Sequence, residues 1–195
     1  MKYDSKADTL LHIKRVNQLL TEAAIELIRR ANVHDNSKLE SPEKELFDEY
    51  TPKLKGCTYG SDEYKEFLAG LKVALEHHYA NNSHHPEHNN MWRCKLCLNT
   101  VKESETWVHP DHGRFCRCSG GYLIFECKFD DEDLIPGING FDLFDLIEMF
   151  FDWKAATERH ADGDIMKSID INKDRFHLSD QLCEIFRNTA IRWLR

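Results

Sequence analysis

The sequence lacks any apolar run that approaches the roughly 20 residues of a membrane-spanning helix. Its first residues, Met1-Lys2-Tyr3-Asp4-Ser5-Lys6, also lack the apolar stretch that is typical of a secretory signal. These two absences predict a cytoplasmic protein that has no membrane partner.

Positive charge is scarce relative to negative charge, with 26 basic residues against 34 acidic ones and a formal net charge of -8. This balance provides no general attraction to a nucleic-acid duplex or to an anionic lipid surface. Glycine and proline are also few, whereas hydrophobic residues make up 41% of the 195 residues, which is typical of a globular chain. The length suits one main domain with a small inserted module.

The cysteine count is seven, and an odd number argues against a secreted scaffold in which every cysteine is paired. Two close pairs have the spacing of zinc knuckles: Cys94 with Cys97, and Cys116 with Cys118. We predict that these four residues bind one structural zinc ion in an inserted, zinc-ribbon-like β module over residues 91–131. His109, His112 or Cys127 could replace one of the four ligands. Aromatic and basic residues in the module keep nucleic-acid binding possible, but not favoured.

Helical periodicity dominates the remaining sequence and predicts an all-α bundle formed by residues 1–90 and 132–195. The predicted helices run over residues 8–31, from Ser41-Pro42 to Thr51-Pro52, from Ser61 to Asn81, from Phe141 to about Arg159, and from Ser179 to the end. His12 and His78 fall on the inward apolar stripes of the first and third helices. A lone inward histidine is usually a hydrogen-bonded core residue, but two on different helices favour a shared site.

The predicted helix after Phe141 is apolar almost all round, which indicates burial on most sides. It nevertheless carries Asp145, Glu148 and Asp152, whose spacing of three and four residues places them on one face. Buried carboxylates are costly unless they are paired or bind a metal ion. A solvated acidic face is the alternative, but the histidine-rich segments elsewhere favour metal binding.

Two of these segments place imidazoles beside each other or beside a carboxylate. His34-Asp35 offers one nitrogen and one carboxylate ligand, and His84-His85 follows the pair His77-His78 after a short gap. Imidazole and carboxylate together are typical ligands of first-row divalent metals. The sequence therefore predicts a metal-dependent enzyme.

The order of these motifs resembles the HD-domain superfamily of metal-dependent phosphohydrolases, whose members are helical bundles. The matching motifs are His12-x2-Arg15-Val16, His34-Asp35-x-Ser37-Lys38, His84-His85 and Asp152-Trp153-x-Ala155-Ala156. The sequence also resembles a branch of small phage and bacterial proteins of uncharacterised function. This similarity is carried by the segments Tyr59-Gly60-Ser61, His84-His85-Pro86-Glu87-His88 and Asp152-Trp153.

The resemblance implies a set of metal ligands. His12, His34, Asp35 and Asp152 match the positions that bind one ion in the superfamily. His84 and His85 match a histidine pair of its polynuclear branches, which carry another histidine further upstream. His78 is our choice for that position, although His77 is an alternative. We therefore predict one to three divalent ions, which could be manganese, iron, cobalt, nickel or magnesium.

The same resemblance suggests roles for other residues. Lys38 matches a lysine near substrate phosphate, whereas Ser37 stands where cyclic-dinucleotide phosphodiesterases carry glycine. We predict Asp35 as a bridging ligand, and Lys38 or Arg159 as the cation that binds the phosphate, although an exposed, salt-bridging surface residue is the more common role for an arginine such as Arg159. Glu148 could orient a ligand histidine or act as the general base. Asp145 could be structural.

The predicted function is hydrolysis of a nucleotide or a related phosphate ester by a metal-activated water. Two alternatives remain open at this stage. An HD-type site could hold two irons and activate oxygen, or the protein could be a non-catalytic phage effector that binds a nucleotide or a partner. The sequence does not determine the oligomeric state.

Overall fold

The chain divides into two compact units, residues 1–34 and residues 35–195. The computed structural model describes residues 4–55, 62–93, 100–102, 107–109, 113–117, 126–129, 134–159 and 163–193. The first unit is a single helix, α1 (Lys6–Val33), and no residue of α1 is buried. Taken by itself, the first unit contains no second element against which the predicted inward stripe of α1 could pack.

The second unit is mostly helical with small antiparallel sheets, which confirms the predicted class at this coarse level. Its helices are α2 (Glu43–Lys55), α3 (Asp62–Gly70), α4 (Lys72–Asn81), α5 (Leu143–Thr157), α6 (Ile165–Phe176) and α7 (Asp180–Trp193). Single 3-10 turns cover Asn36–Leu39, Pro86–Asn89 and Gly137–Gly140. Among the described helices, none combines the length and apolar character needed to cross a membrane.

The region from α2 to α4 differs from the prediction in two respects. Helix α2 continues past Pro52 to Lys55, because proline removes only one backbone hydrogen bond and the last turn tolerates the loss. The single helix predicted up to Asn81 is two helices, α3 and α4, which are separated at Leu71. Gly70, a poor helix former, stands at this break, and a Cβ atom there would lie 2.4 Å from the ring of Tyr50.

The apolar core lies among α5, α6 and α7. Buried side chains in this core include Met149, Phe150, Ile169, Cys183 and Phe186. Helix α6 was not predicted from the sequence, although Asp164 caps its start by accepting a hydrogen bond from the backbone N–H of Met166 at 2.8 Å.

Helix α5 is less buried than predicted. Met149, Phe150 and Trp153 face the core, whereas Leu143 is 73% exposed and Ile147 is 38% exposed. The prediction of burial on most sides is therefore wrong, because only one apolar face of α5 contacts α6 and α7.

Within the described residues, six short strands form two antiparallel sheets of three strands each. In the first, β1 (Met91–Arg93) lies between β2 (Thr100–Lys102) and β6 (Leu134–Ile135). In the second, β4 (Gly113–Arg117) lies between β3 (Trp107–His109) and β5 (Glu126–Phe129). Strand β1 begins the predicted module over residues 91–131, and β6 lies just after its end. Their pairing therefore brings the two ends of that segment together.

Candidate metal centre

Three histidine side chains converge on the carboxylate of Asp35. The Nε2 atoms of His78 and His84 lie 3.3 Å and 3.5 Å from the same oxygen, Oδ1 of Asp35. Nε2 of His85 lies 2.9 Å from Nε2 of His78. Each of the four residues offers one potential ligand atom, and these atoms all lie within 4.8 Å of one another. We call these four residues the histidine cluster.

The opposite nitrogens of two of these rings face carboxylates. Nδ1 of His78 lies 3.0 Å from Oε2 of Glu43, and Nδ1 of His84 lies 3.2 Å from Oε1 of Glu148. Because an ionised carboxylate can only accept, each Nδ1 carries the proton and donates it. A neutral imidazole that is protonated on Nδ1 has its lone pair on Nε2. Both Nε2 lone pairs therefore point towards the carboxylate of Asp35.

Asn82 and Ser37 support this orientation of His78. The amide nitrogen of Asn82 lies 3.0 Å from Nδ1 of His78, but it also lies 2.8 Å from Ser37 Oγ and 2.8 Å from the His78 carbonyl oxygen. Its two protons are used by these two oxygens, which leaves the Nδ1 proton of His78 for Glu43. Ser37, whose Oγ also lies 3.2 Å from Nδ1 of His78, thus helps to hold a ring of the cluster.

Burial and neighbouring charges favour the neutral forms of the His78 and His85 imidazoles. Burial lowers the pKa of His78, and the positive charge of Lys38 lowers it further, against the opposing effects of the carboxylates of Asp35 and Glu43. Burial, together with the neighbouring His84 and His78, lowers the pKa of His85 to about 3. At neutral pH both rings are therefore in the uncharged form that binds metal ions.

Asp35 reaches the cluster from a sharp turn. Its φ of 57° is in the left-handed region, which aspartate tolerates better than most residues. The 3-10 turn that follows places Lys38 Nζ 2.6 Å from Oδ2 of Asp35 and 5.6 Å from the centre of the Phe47 ring. The side chain of Lys38 is 36% exposed, so it contacts both the cluster and solvent.

The acidic face of α5 is directed towards the histidines. Asp145 is buried, and it accepts hydrogen bonds from Ser83 Oγ at 2.7 Å and from the Asp142 backbone N–H at 3.3 Å. It thereby ties the residue before His84 to the start of α5, which is a structural role. Glu148 contacts His84, and one turn later an oxygen of Asp152 lies within 4.8 Å of an oxygen of Asp35.

Four other predicted site residues are not among the four residues of the histidine cluster. His12 is exposed on α1, and His34 is the residue that ends α1, so both belong to the first unit. Arg159 is exposed and lies beyond the end of α5, so the predicted continuation of the helix face to this residue is wrong. His77 contacts the other oxygen of Glu43, and its side chain is 39% exposed.

Most of the predicted zinc site lies outside the described residues, namely Cys94, Cys97 and Cys118. Cys116 lies in β4, directly opposite Cys127 in β5. This register makes Cys127 a neighbour of a predicted ligand, so Cys127 stays an alternative fourth ligand.

Glu43 and Asn82 contact His78 of the histidine cluster, but neither was predicted as a site residue. Glu43 follows Ser41-Pro42 at a helix start, where acidic residues are common for electrostatic reasons and do not by themselves indicate a site. Its burial depends on how α2 packs against α4, which no local pattern in the sequence reveals. The only local signal for Asn82 was its place four residues after His78, at the end of α4.

Comparison with known proteins gives one family match. A search of curated proteins and a search of solved structures each found no match. The profile of DUF5662, described as a family of unknown function, matches residues 1–106, which is more than half of the chain. The matched region includes the histidine cluster, whereas Glu148 and Asp152 lie after it. The chain therefore belongs to the DUF5662 family.

Proposed function

We propose that the protein is a metal-dependent phosphohydrolase with an HD-type site, acting on a nucleotide or a related phosphate ester. One observation carries this proposal: two imidazole lone pairs face one carboxylate oxygen at 3.3 Å and 3.5 Å. Three electron-rich atoms at such distances repel one another unless a cation lies among them. A divalent metal ion is the simplest cation that would satisfy all three.

The donor set fits some of the predicted ions better than others. Imidazole nitrogens combined with carboxylate oxygens suit manganese, iron, cobalt and nickel. Magnesium prefers an all-oxygen shell with several waters, so it is the poorest fit among the predicted ions. The adjacent carboxylates of Asp35 and Asp152 add oxygen ligands. The proposal therefore covers one to three ions.

The proposed chemistry assigns a role to each part of the site. A bound divalent ion supplies Lewis acidity towards phosphoryl oxygens and lowers the pKa of water towards about 7. Asp35, His78, His84 and His85 would hold the ion, and Glu148 keeps His84 protonated on Nδ1. Lys38 is partly exposed beside Asp35, where it could neutralise charge on a bound phosphate. Arg159 has no role in this proposal.

The proposal can be tested with protein loaded separately with manganese, iron or cobalt. We expect release of phosphate or nucleotide from at least one member of a panel of nucleotides, cyclic dinucleotides and simple phosphate esters. Asp35→Asn should abolish turnover while preserving the fold, because asparagine also tolerates a positive φ. Asp62→Asn, at a carboxylate that is 102% exposed, is the matched control and should retain full activity.

Other outcomes of the same experiment would identify another function. No turnover with any metal, or full activity in Asp35→Asn, would contradict the proposal. Oxygen consumption by iron-loaded protein with a mixed-valence iron signal would instead support an oxygenase, whose iron is also suited to imidazole and carboxylate ligands. Stoichiometric capture of a nucleotide without turnover would indicate a binding protein.

A further inference from the structure

Glu43 is a fully buried carboxylate that contacts two neighbouring histidines. Its relative exposure is 0%, and it is the first residue of α2. Oε1 lies 2.7 Å from Nδ1 of His77, and Oε2 lies 3.0 Å from Nδ1 of His78. A buried carboxylate is costly unless hydrogen bonds satisfy it, and here each oxygen accepts one.

We propose that Glu43 is a positioning residue of the metal centre, which acts through His78. It holds the His78 proton on Nδ1, so that the Nε2 lone pair is available to a metal ion beside Asp35. The inference rests on the proposed metal centre, because the Nε2 lone pair matters only if an ion binds there. Glu43 itself makes no contact with the ion in this arrangement.

The surroundings of Glu43 fix its position and that of the ring it contacts. The start of a helix favours a negative charge, which stabilises the ionised carboxylate of Glu43. Phe47, one turn later on α2, packs edge-to-face on the His78 ring with a centroid distance of 6.4 Å. Helix α2 therefore controls both the orientation of the His78 ring and the location of its proton.

Two substitutions of Glu43 remove its hold on the His78 proton in different ways. Glu43→Gln keeps the side-chain shape but leaves one acceptor for two Nδ1–H groups, and its amide N–H can donate to Nδ1 of His78. Glu43→Met has similar length and removes both acceptors. In either case the His78 proton can move to Nε2, which would eliminate the lone pair that binds metal. Loss of such a supporting carboxylate typically costs about 10-fold to 100-fold in metal affinity.

The experiment combines a metal titration with a measurement of the proton position. Mn²⁺ binding is followed by electron paramagnetic resonance, since Mn²⁺ has little preference for the cysteine thiolates. The His78 tautomer is read from ¹⁵N chemical shifts of the metal-free protein, and the signal is assigned by its loss in His78→Asn. Asp48→Asn, an exposed carboxylate on the same helix, is the matched control and should change neither measurement.

We expect wild-type His78 to be protonated on Nδ1, and both Glu43 variants to bind Mn²⁺ about 10-fold to 100-fold more weakly with the proton shifted to Nε2. An Nε2 proton in wild-type protein, or unchanged affinity in both variants, would overturn the inference. If wild-type protein binds no Mn²⁺, the proposed metal centre fails and this inference fails with it, whereas normal Mn²⁺ binding by wild-type protein and by both Glu43 variants overturns the inference alone. If neither variant folds, the wild-type spectrum decides.

Discussion

The apolar core of α5–α7 and the histidine cluster are both buried, but different interactions hold them. In the core, Phe150 stacks on Phe186 with centroids 5.6 Å apart, and Trp153 stacks on Phe176 at 6.1 Å. These contacts need nothing beyond the chain itself. The histidine cluster instead directs lone pairs and a carboxylate at one another. The core therefore stabilises the fold by itself, whereas the arrangement of the cluster is explained by the metal ion that we propose.

The largest expected effect separates the two regions by stability. Phe186→Ala should lower the free energy of unfolding by about 3–5 kcal/mol, because it removes a buried ring and leaves a cavity. The Mn²⁺ affinity of the folded fraction should not change. Chemical denaturation and Mn²⁺ titration measure the two quantities. A parallel loss of affinity would show that the two regions are not independent.

The next largest expected effect is on Mn²⁺ affinity and concerns Glu148, which contacts Nδ1 of His84. Glu148→Gln should lower Mn²⁺ affinity by about 10-fold to 100-fold, because His84 loses the acceptor that fixes its Nδ1 proton. Stability of the metal-free protein should change little in comparison. Glu158→Gln, at an exposed residue next to the end of α5, is the control and should bind Mn²⁺ normally. Wild-type affinity in Glu148→Gln would leave the carboxylate without a supporting role.

A smaller effect follows from pH in the metal-free protein. Since the folded-state pKa values of His78 and His85 lie below 6.5, and that of His85 is about 3, the unfolded chain takes up protons on both histidines at higher pH than the folded protein does. Stability is therefore fully present above about pH 6.5 and falls below it, by up to about 1 kcal/mol per histidine at pH 5.5.

Chemical denaturation at pH 7.5 and pH 5.5 measures this loss. His85→Asn should show a smaller loss between the two pH values, because one of the two histidines is gone. An equal loss in wild-type protein and in the variant would mean that His85 does not contribute to the pH dependence.

The smallest effect concerns substrate binding. Lys38→Met should raise KM for the phosphate ester about threefold to fivefold, because a partly exposed ion pair contributes modestly. Mn²⁺ affinity should stay the same or rise, since a positive charge beside Asp35 is removed. Lys44→Met, at a lysine exposed on α2, is the control. A large loss of Mn²⁺ binding in Lys38→Met would place Lys38 in the metal centre instead.

Much of the helical framework could be predicted from sequence periodicity, because α1, α5 and α7 bury or present apolar residues at helical spacing. The break between α3 and α4 was not predicted; it lies next to Gly70, which packs closely against the ring of Tyr50, 20 residues away in the sequence. Helix α6 was missed although Asp164 stands at a capping position before Ile165 and Ile169. Contacts between distant residues decided the first of these, and an unrecognised cap decided the second.

In the candidate site, too, some residues could be predicted from the sequence and others could not. The prediction that Asp35 shares a site with His84 and His85 came from the resemblance to the HD-domain superfamily, and His78 was added for its place on a helix face. The face shared by Glu148 and Asp152 followed from their spacing. The carboxylate of Glu43 could not be predicted, because its burial results from the packing of α2 against α4. Sequence patterns thus indicated the atoms that face one another in the histidine cluster, but not all the residues that orient them.

The central claim is that the histidine cluster binds a metal ion through imidazole nitrogens. The most direct measurement is pulsed electron paramagnetic resonance of Mn²⁺-loaded protein labelled with ¹⁵N-histidine. We predict ¹⁵N couplings from histidine in the wild-type protein and their loss in a His78→Ala, His84→Ala double variant. A Mn²⁺ signal without any histidine coupling in wild-type protein would contradict the claim.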